Sequence, residues 1–244
     1  MNFTFKPFIC TLFLLLCVTF NSFASELIPH TASYSAKIKK GISIKGQAVR
    51  ELKRGKDGQW LYSFNVDSFV ADIKETTRLS WHEQHVIPHS YQYKLSAFLA
   101  RDKRKEVQFD WEKMTATNPL KKHRWSITNI PKHTLDRLSY QLQLGMDLQS
   151  GKQEMVYQVA HKGKLRQNHF KVTGEEKINT TLGEVDSITV IKVREKSKKR
   201  KTHMWFSKKI PILLLKMIQV EKNGEEYEIN INHASINGKN VTFQ

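Results

Sequence analysis

GEEKINTTLGEVDSITVIKVREKSKKRKTHMWFSKKIPILLLKMIQV, residues 174–220, is the stretch whose reading decides the fold. It reads as three consecutive antiparallel strands, separated by a turn centred on Gly183 and by a basic tip, Lys196 to Lys201. Along Ile188 and Val190 the apolar residues alternate, and then Ile191 and Val193 continue on the opposite parity. A strand does this when it carries a bulge or is buried on both faces. After Pro211, Ile212, Leu214, Ile218 and Val220 share one parity while Leu213, Leu215 and Met217 share the other. A sheet with one face in water does not place apolar residues on both sides, so a helix or a bound apolar ligand is expected to cover the second face.

Outward from this run the same period of two recurs. Tyr34, Ala36 and Ile38 form one alternating set, Trp60, Tyr62, Phe64 and Val66 another, and Val107, Phe109 and Trp111 a third. Gly/Asp and Asn-Gly turns at residues 54–58 and 221–225 punctuate them. Strand signals spaced roughly every 10–15 residues predict a mainly β, single-domain antiparallel sheet curved into an open or closed barrel. Residues 118–132 are polar, basic and flanked by proline, and read as a loop with at most a short strand. Leu138, Leu142 and Met146 fit a helical stripe, yet Leu138, Tyr140, Leu142, Leu144, Met146 and Leu148 also alternate as a strand. The excess of Leu, Gln and Met over β-branched residues favours one short helix near 134–149, capped by Thr134.

The first 24 residues have the pattern of a cleavable signal peptide. Lys6 precedes an apolar run from Phe8 to Phe20, and Ser22 and Ala24 supply the small residues before the expected cut. Both cysteines, Cys10 and Cys17, fall in this leader, so residues 25–244 form a single exported β domain with neither disulfide nor thiol chemistry. Lys plus Arg number 40 against 23 Asp plus Glu, a formal net charge of +17. In an envelope compartment such a field favours anionic lipid or another anionic envelope component, with peripheral membrane contact, rather than nucleic acid.

Catalytic patterns are absent. There is no Gly-x-Ser-x-Gly elbow, no phosphate-cradling Gly-rich loop, and no carboxylate pair that spacing singles out. His82, His85 and His89 form the tightest histidine cluster, but strand alternation separates the first two and Pro88 prevents a helix from gathering them, so no metal and no cofactor is expected. Lys198, Lys199, Arg200 and Lys201 are candidate anion contacts, with Trp205 beside them as an interfacial aromatic. Leu213, Leu215 and Met217 are candidate ligand-cavity residues.

Asp136-Arg137-Leu138-Ser139, Phe170-x-Val172-x-Gly174-Glu175-Glu176, Thr181-Leu182-Gly183, Trp205-Phe206-Ser207 and Ile210-Pro211 occur in this order, and the pattern resembles the DUF3108 family of exported bacterial proteins. The resemblance implies a mostly antiparallel β fold in a Gram-negative envelope and transfers no catalytic residue. The leading functional expectation is a periplasmic, non-enzymatic binding or carrier module for a lipid-like or anionic ligand. The alternatives are an envelope interaction protein that works through its basic surface and, third, a hydrolase of envelope polymers.

Overall fold

The sequence alternates strand and turn almost without interruption, and the chain responds by pairing each strand with the next. The computed structural model describes residues 26–40, 42–97, 100–194 and 200–243, with the side chains of 40, 42, 43, 100 and 122 left aside. The expected leader lies outside these residues. Eight strands form a first antiparallel meander: β1 (His30–Lys40), β2 (Ile42–Arg54), β3 (Trp60–Ser68), β4 (Ala71–His82), β5 (His85–Ala97), β6 (Ala100–Asp110), β7 (Thr115–Asn118) and β8 (Trp125–Ile127). One helix follows, α1 (Ser139–Gln149). A second meander contains β9 (Glu154–His161), β10 (Lys164–Thr180), β11 (Gly183–Val193), β12 (Lys201–Ser207), β13 (Leu214–Val220) and β14 (Glu226–Ile236). β14 returns to pair with β1, and a two-residue β15 (Lys239–Asn240) pairs with β14. The result is one antiparallel sheet curved into a nearly closed barrel, whose seam lies between the edge strands β8 and β9.

The run 174–220 holds four strand segments rather than three. Its last third divides into β12 and β13 because Pro211 has no N–H for a ladder. Ser207 organises the turn between them. Its Oγ accepts the Ile210 N–H at 3.1 Å, and its own N–H donates to the Leu213 carbonyl at 3.0 Å. Phe206 then pairs with Leu214 and Trp205 with Lys216, which leaves Leu215 as a bulge. The apolar residues on both parities are therefore a turn followed by a bulge, so that Leu213, Leu214 and Leu215 are all buried. The slip on β11 has the same origin on its neighbour. Val172 pairs with Val190 and Gly174 with Thr189, and Thr173 of β10 is the extra residue.

The helix also differs from expectation at its start. Thr134 does not cap it; its hydroxyl donates to the Pro131 carbonyl at 2.7 Å. Asp136 is the cap. Its Oδ1 accepts the N–H groups of Leu138 (2.7 Å) and Ser139 (2.8 Å), and Ser139 Oγ accepts the Asp136 N–H at 2.8 Å. Leu135 is not helical either, because it lies along the barrel seam. Its N–H donates to the Gln158 carbonyl and its carbonyl accepts the Ala160 N–H, forming a parallel bridge to the edge of β9. From Leu142 to Leu148 every residue of α1 is buried. A helix that is enclosed all round is core, not a surface element with one apolar stripe.

Strand direction places this helix at one end of the barrel. The β4–β5 and β12–β13 turns share that end. Gln143 accepts the Val86 N–H at 2.7 Å and donates to the Gln84 carbonyl at 3.0 Å, while Gly145 lies against Pro211 and Ile212. A side chain at Gly145 would place its Cβ 3.0 Å from Ile212 Cα and 3.2 Å from the Pro211 oxygen. Gly145→Val is therefore expected to destabilise the fold by about 1–3 kcal/mol through overpacking. Chemical denaturation of the two proteins measures it, and an unchanged midpoint would show that the helix does not pack tightly on this turn.

Candidate functional site

Inward-facing positions of a barrel are normally apolar, and here several carry charge. Arg50 shares the parity of Ala48 and Leu52, Glu75 that of Thr77 and Leu79, Lys105 that of Val107 and Phe109, and Lys192 that of Val190. With Arg137, just before α1, these side chains border a chamber of about 620 Å³ inside the barrel. Eight Lys and Arg residues line it against one carboxylate, Glu75. The remainder of the wall is apolar and aromatic, including Tyr140 and Leu144 of the helix, Phe170, Met204, Leu214 and Met217.

The cations are held mainly by rings and neutral acceptors rather than by carboxylates. Arg50 is only 4% exposed; its Nη2 donates to Gln141 Oε1 at 2.7 Å and its guanidinium lies 5.2 Å from the Phe64 ring centre. Its Nε is buried with no partner in the protein, as is the Nε of Arg194. Lys192 Nζ donates to Asn168 Oδ1 at 2.6 Å and lies 5.3 Å from the centre of Phe170 and 5.5 Å from that of Tyr140. Burial, followed by the positive charge of Arg194, Arg200 and Arg137, lowers the pKa of this amine to about 7. Burial and then Arg137, Lys105, Lys162 and Arg166 lower that of His161 to about 4.

The two buried carboxylates nearby behave in the opposite sense. Burial raises the pKa of Glu75, against the opposing pull of Arg137, and burial likewise raises that of Asp136. Thr77 Oγ1 joins the two cap N–H groups on Asp136 Oδ1 at 3.0 Å, whereas Oδ2 is buried without a partner. The carboxylate is thus committed to holding the start of α1, with Arg137 next to it facing the chamber.

The chamber reaches the barrel end opposite the helix. Lys162 in the β9–β10 turn, Arg194 at the end of β11 and Arg200 before β12 all belong to that end and to the chamber wall. A second hollow, about 1230 Å³, follows the seam between β6, the 120–125 segment and residues 160–162, and shares Lys105, His161 and Lys162 with the chamber. The two hollows therefore adjoin along these three residues. Trp125 narrows the seam by packing against Gly163.

The candidate residues separate. Leu213 and Leu215 are packed in the core, whereas Met217 borders the chamber. Lys198 and Lys199 lie outside the described residues. Arg200 lines the chamber mouth and its Nε donates to Glu221 Oε2 at 2.6 Å; Lys201 is exposed at the start of β12. Trp205 is not at the tip. It lies within β12, where its Nε1 donates to Glu176 Oε1 at 2.6 Å and Lys216 sits 5.5 Å from its ring centre. Of the three clustered histidines, His85 stacks on His133 at 3.8 Å, His89 bonds Ser80 Oγ at 3.0 Å, and His82 is beside Glu83. Among the described residues no group of three or more His, Cys, Asp or Glu gathers as a metal site. Arg50 and Lys192 are residues that sequence reading passes over, Arg137 enters it only as part of the family pattern, and the signal for the first two is a charge on the apolar parity of a strand.

The amine of Lys192 has a consequence for stability. Its folded pKa, about 7, is below the unfolded value of about 10.4. The unfolded chain therefore binds more protons between these values, and this group's contribution makes stability rise with pH across that window. Lys192→Met is expected to be more stable than the parent at pH 6, with the advantage disappearing near pH 10. Thermal or urea unfolding as a function of pH measures the difference; a pH-independent difference would contradict the assigned shift.

Comparison with known proteins adds the family and a fold relative. The profile of the family described as "Protein of unknown function (DUF3108)" matches residues 34–228, which include the Asp136-Arg137 cap and the β10–β13 segment. Curated proteins give no match. A solved β-barrel-like protein of a domain of unknown function, DUF1849, from Brucella abortus is 12% identical, covering 87% of this chain and 99% of its own, with a TM-score of 0.58. That likeness supports the fold alone. The MucA/MucB complex of Pseudomonas aeruginosa aligns with a TM-score of 0.32 at 7% identity, covering 86% of this chain and 52% of that one. A DUF1329 protein from Desulfovibrio piger aligns with a TM-score of 0.29 at 11% identity, covering 86% and 85%. The match over most of its length places this chain in the DUF3108 family.

Proposed function

We propose that the protein is an exported, non-enzymatic binding or carrier module whose chamber holds an anionic amphiphile. The observation that carries this reading is the interior charge: Arg50, Lys105, Arg137, Lys192 and Arg194 against Glu75 in a space that α1 occupies from one end, with exposed Lys162, Arg166 and Arg200 at the mouth, the last paired with Glu221. Buried cations without counter-charges are costly, and an anion within the chamber relieves that cost. Guanidinium groups suit carboxylate and phosphate oxygens because their N–H groups form a planar fork. The head group accordingly lies among Arg50, Arg137 and Lys192, and the apolar portion lies along Phe170, Leu214 and Met217. A small inorganic anion would leave this apolar wall unused, and a neutral lipid would leave the cations uncompensated. Residence in the envelope rests on the expected leader. Among the described residues no helix is long and apolar enough to cross a membrane.

The proposed ligand also sets a pH dependence. A bound anion favours protonated Lys192, whose ligand-free pKa is about 7. Above that value binding requires uptake of a proton and weakens by up to about tenfold per pH unit. Dodecanoate is the probe, because its carboxylate stays ionised throughout the range from pH 6 to 9. Calorimetry is expected to find dodecanoate binding more tightly than dodecanol or acetate, about tenfold weaker binding in Arg137→Gln, and weakening from pH 7 to 9 that Lys192→Arg removes. Equal affinity for dodecanol, or no effect of Arg137→Gln, would overturn the reading.

A further inference from the structure

The barrel end opposite α1 carries a feature that the chamber does not use. At the β3–β4 turn the two apex residues are Phe69, 96% exposed, and Val70, 37% exposed. Hairpin apices are ordinarily polar, since Gly, Asn, Asp and Ser suit both the backbone conformation and the solvent. This turn is also locally fixed. Ser68 Oγ donates to the Ala71 carbonyl at 2.7 Å and accepts the Ala71 N–H at 3.1 Å, so the apolar pair is held away from the sheet.

Antiparallel order places other turns at the same end: the β7–β8 connection, the β9–β10 turn, the end of β11 and the start of β12. Those segments are basic. Arg101 at the start of β6, Lys121, Arg124 and Lys162 are all exposed, and Arg101, Lys121, Arg124 and Lys162 make no ion pair among the described residues. The Phe69 hairpin itself is flanked by Asp67 and Asp72, so the positive charge comes from the neighbouring loops and the apolar apex from this one. An apolar projection beside unpaired cations is the pattern that peripheral proteins use at an anionic bilayer, where the aromatic enters the head-group boundary and the cations meet acidic lipids. Lys162, on this rim, also borders both the chamber and the seam hollow.

We infer that this rim docks on an anionic lipid bilayer, with Phe69 and Val70 inserted and Arg101, Lys121 and Arg124 over the head groups. Docking sets the chamber mouth against the lipid surface, so an amphiphile passes between bilayer and barrel without crossing water. The inference builds on the proposed chamber function, but its test is separate.

The test is co-sedimentation with phosphatidylcholine vesicles, with and without about 30 mol% phosphatidylglycerol, at about 0.1 M salt. Binding is expected to the anionic vesicles only. Phe69→Ser/Val70→Ser and Arg101→Gln/Lys121→Gln are each expected to lower the partition coefficient about fivefold or more. Dodecanoate affinity should be unchanged in Phe69→Ser/Val70→Ser, whose altered side chains lie outside the chamber; circular dichroism confirms that this exposed turn has not altered the fold. Absence of vesicle binding with dodecanoate binding intact would overturn the docking surface and leave the chamber reading in place. Equal binding to neutral vesicles, or an unaffected Phe69→Ser/Val70→Ser variant, would also overturn it. Failure of dodecanoate binding with vesicle docking intact would count against the chamber alone.

Discussion

A helix buried on every side from Leu142 to Leu148 needs the polar groups of that span answered by the surrounding sheet, and the rest of this structure follows from that requirement. Gln143 is satisfied by the backbone of the β4–β5 turn. Asp147 accepts from Gln143, from Lys152 at 2.8 Å and from Tyr157 at 2.7 Å. Asp136 ties the first turn to Thr77 across the barrel. These bonds come from both meanders, so α1 joins the two halves of the sheet that the β8–β9 seam leaves unpaired. They also fix which end of the barrel is filled and leave the chamber facing the other.

The filled end and the charged end are physically opposite solutions. Around α1 most buried polar groups have partners, Asp136 Oδ2 and the nearby Tyr91 hydroxyl being exceptions among the described residues, and the fold gains specificity from that network. In the chamber the cations instead outnumber the carboxylates, and the shifts of Lys192 and His161 toward their neutral forms record the strain. Loss of a proton is the protein's own way to reduce a repulsion that a bound anion would remove. A site arranged in this way stores its ligand preference in the unliganded state. That arrangement makes it sensitive to pH around neutrality, because His161 is already neutral there and the wall group that titrates near 7 is Lys192.

Much of the barrel is legible in the sequence because period-two alternation in Trp60–Val66 or Val107–Trp111 leaves little choice of fold. The places where reading and structure part have local causes. Thr134 is as good a cap type as Asp136, and only the seam pairing of Leu135 decides between them. Apolar residues on both parities after Pro211 imply a two-faced strand until the Ser207 turn and the Leu215 bulge are seen. The chamber is harder to read, since Arg50, Arg137 and Lys192 are isolated in sequence and meet only when the sheet closes. The contiguous tip at Lys198–Lys201 is conspicuous for the opposite reason: its charges are neighbours in the chain. Arg200 is the member of that tip that the structure places on the chamber wall.

The direct test of the central claim is a crystal structure with a terminally brominated dodecanoate, in which the anomalous bromine signal locates the tail and the electron density locates the carboxylate. The account predicts a carboxylate within hydrogen-bond reach of Arg137 and Lys192 and a chain lying between Phe170 and Met217. A carboxylate pointing into solvent with the tail elsewhere, or a ligand bound only to the outer face of the barrel, would contradict it.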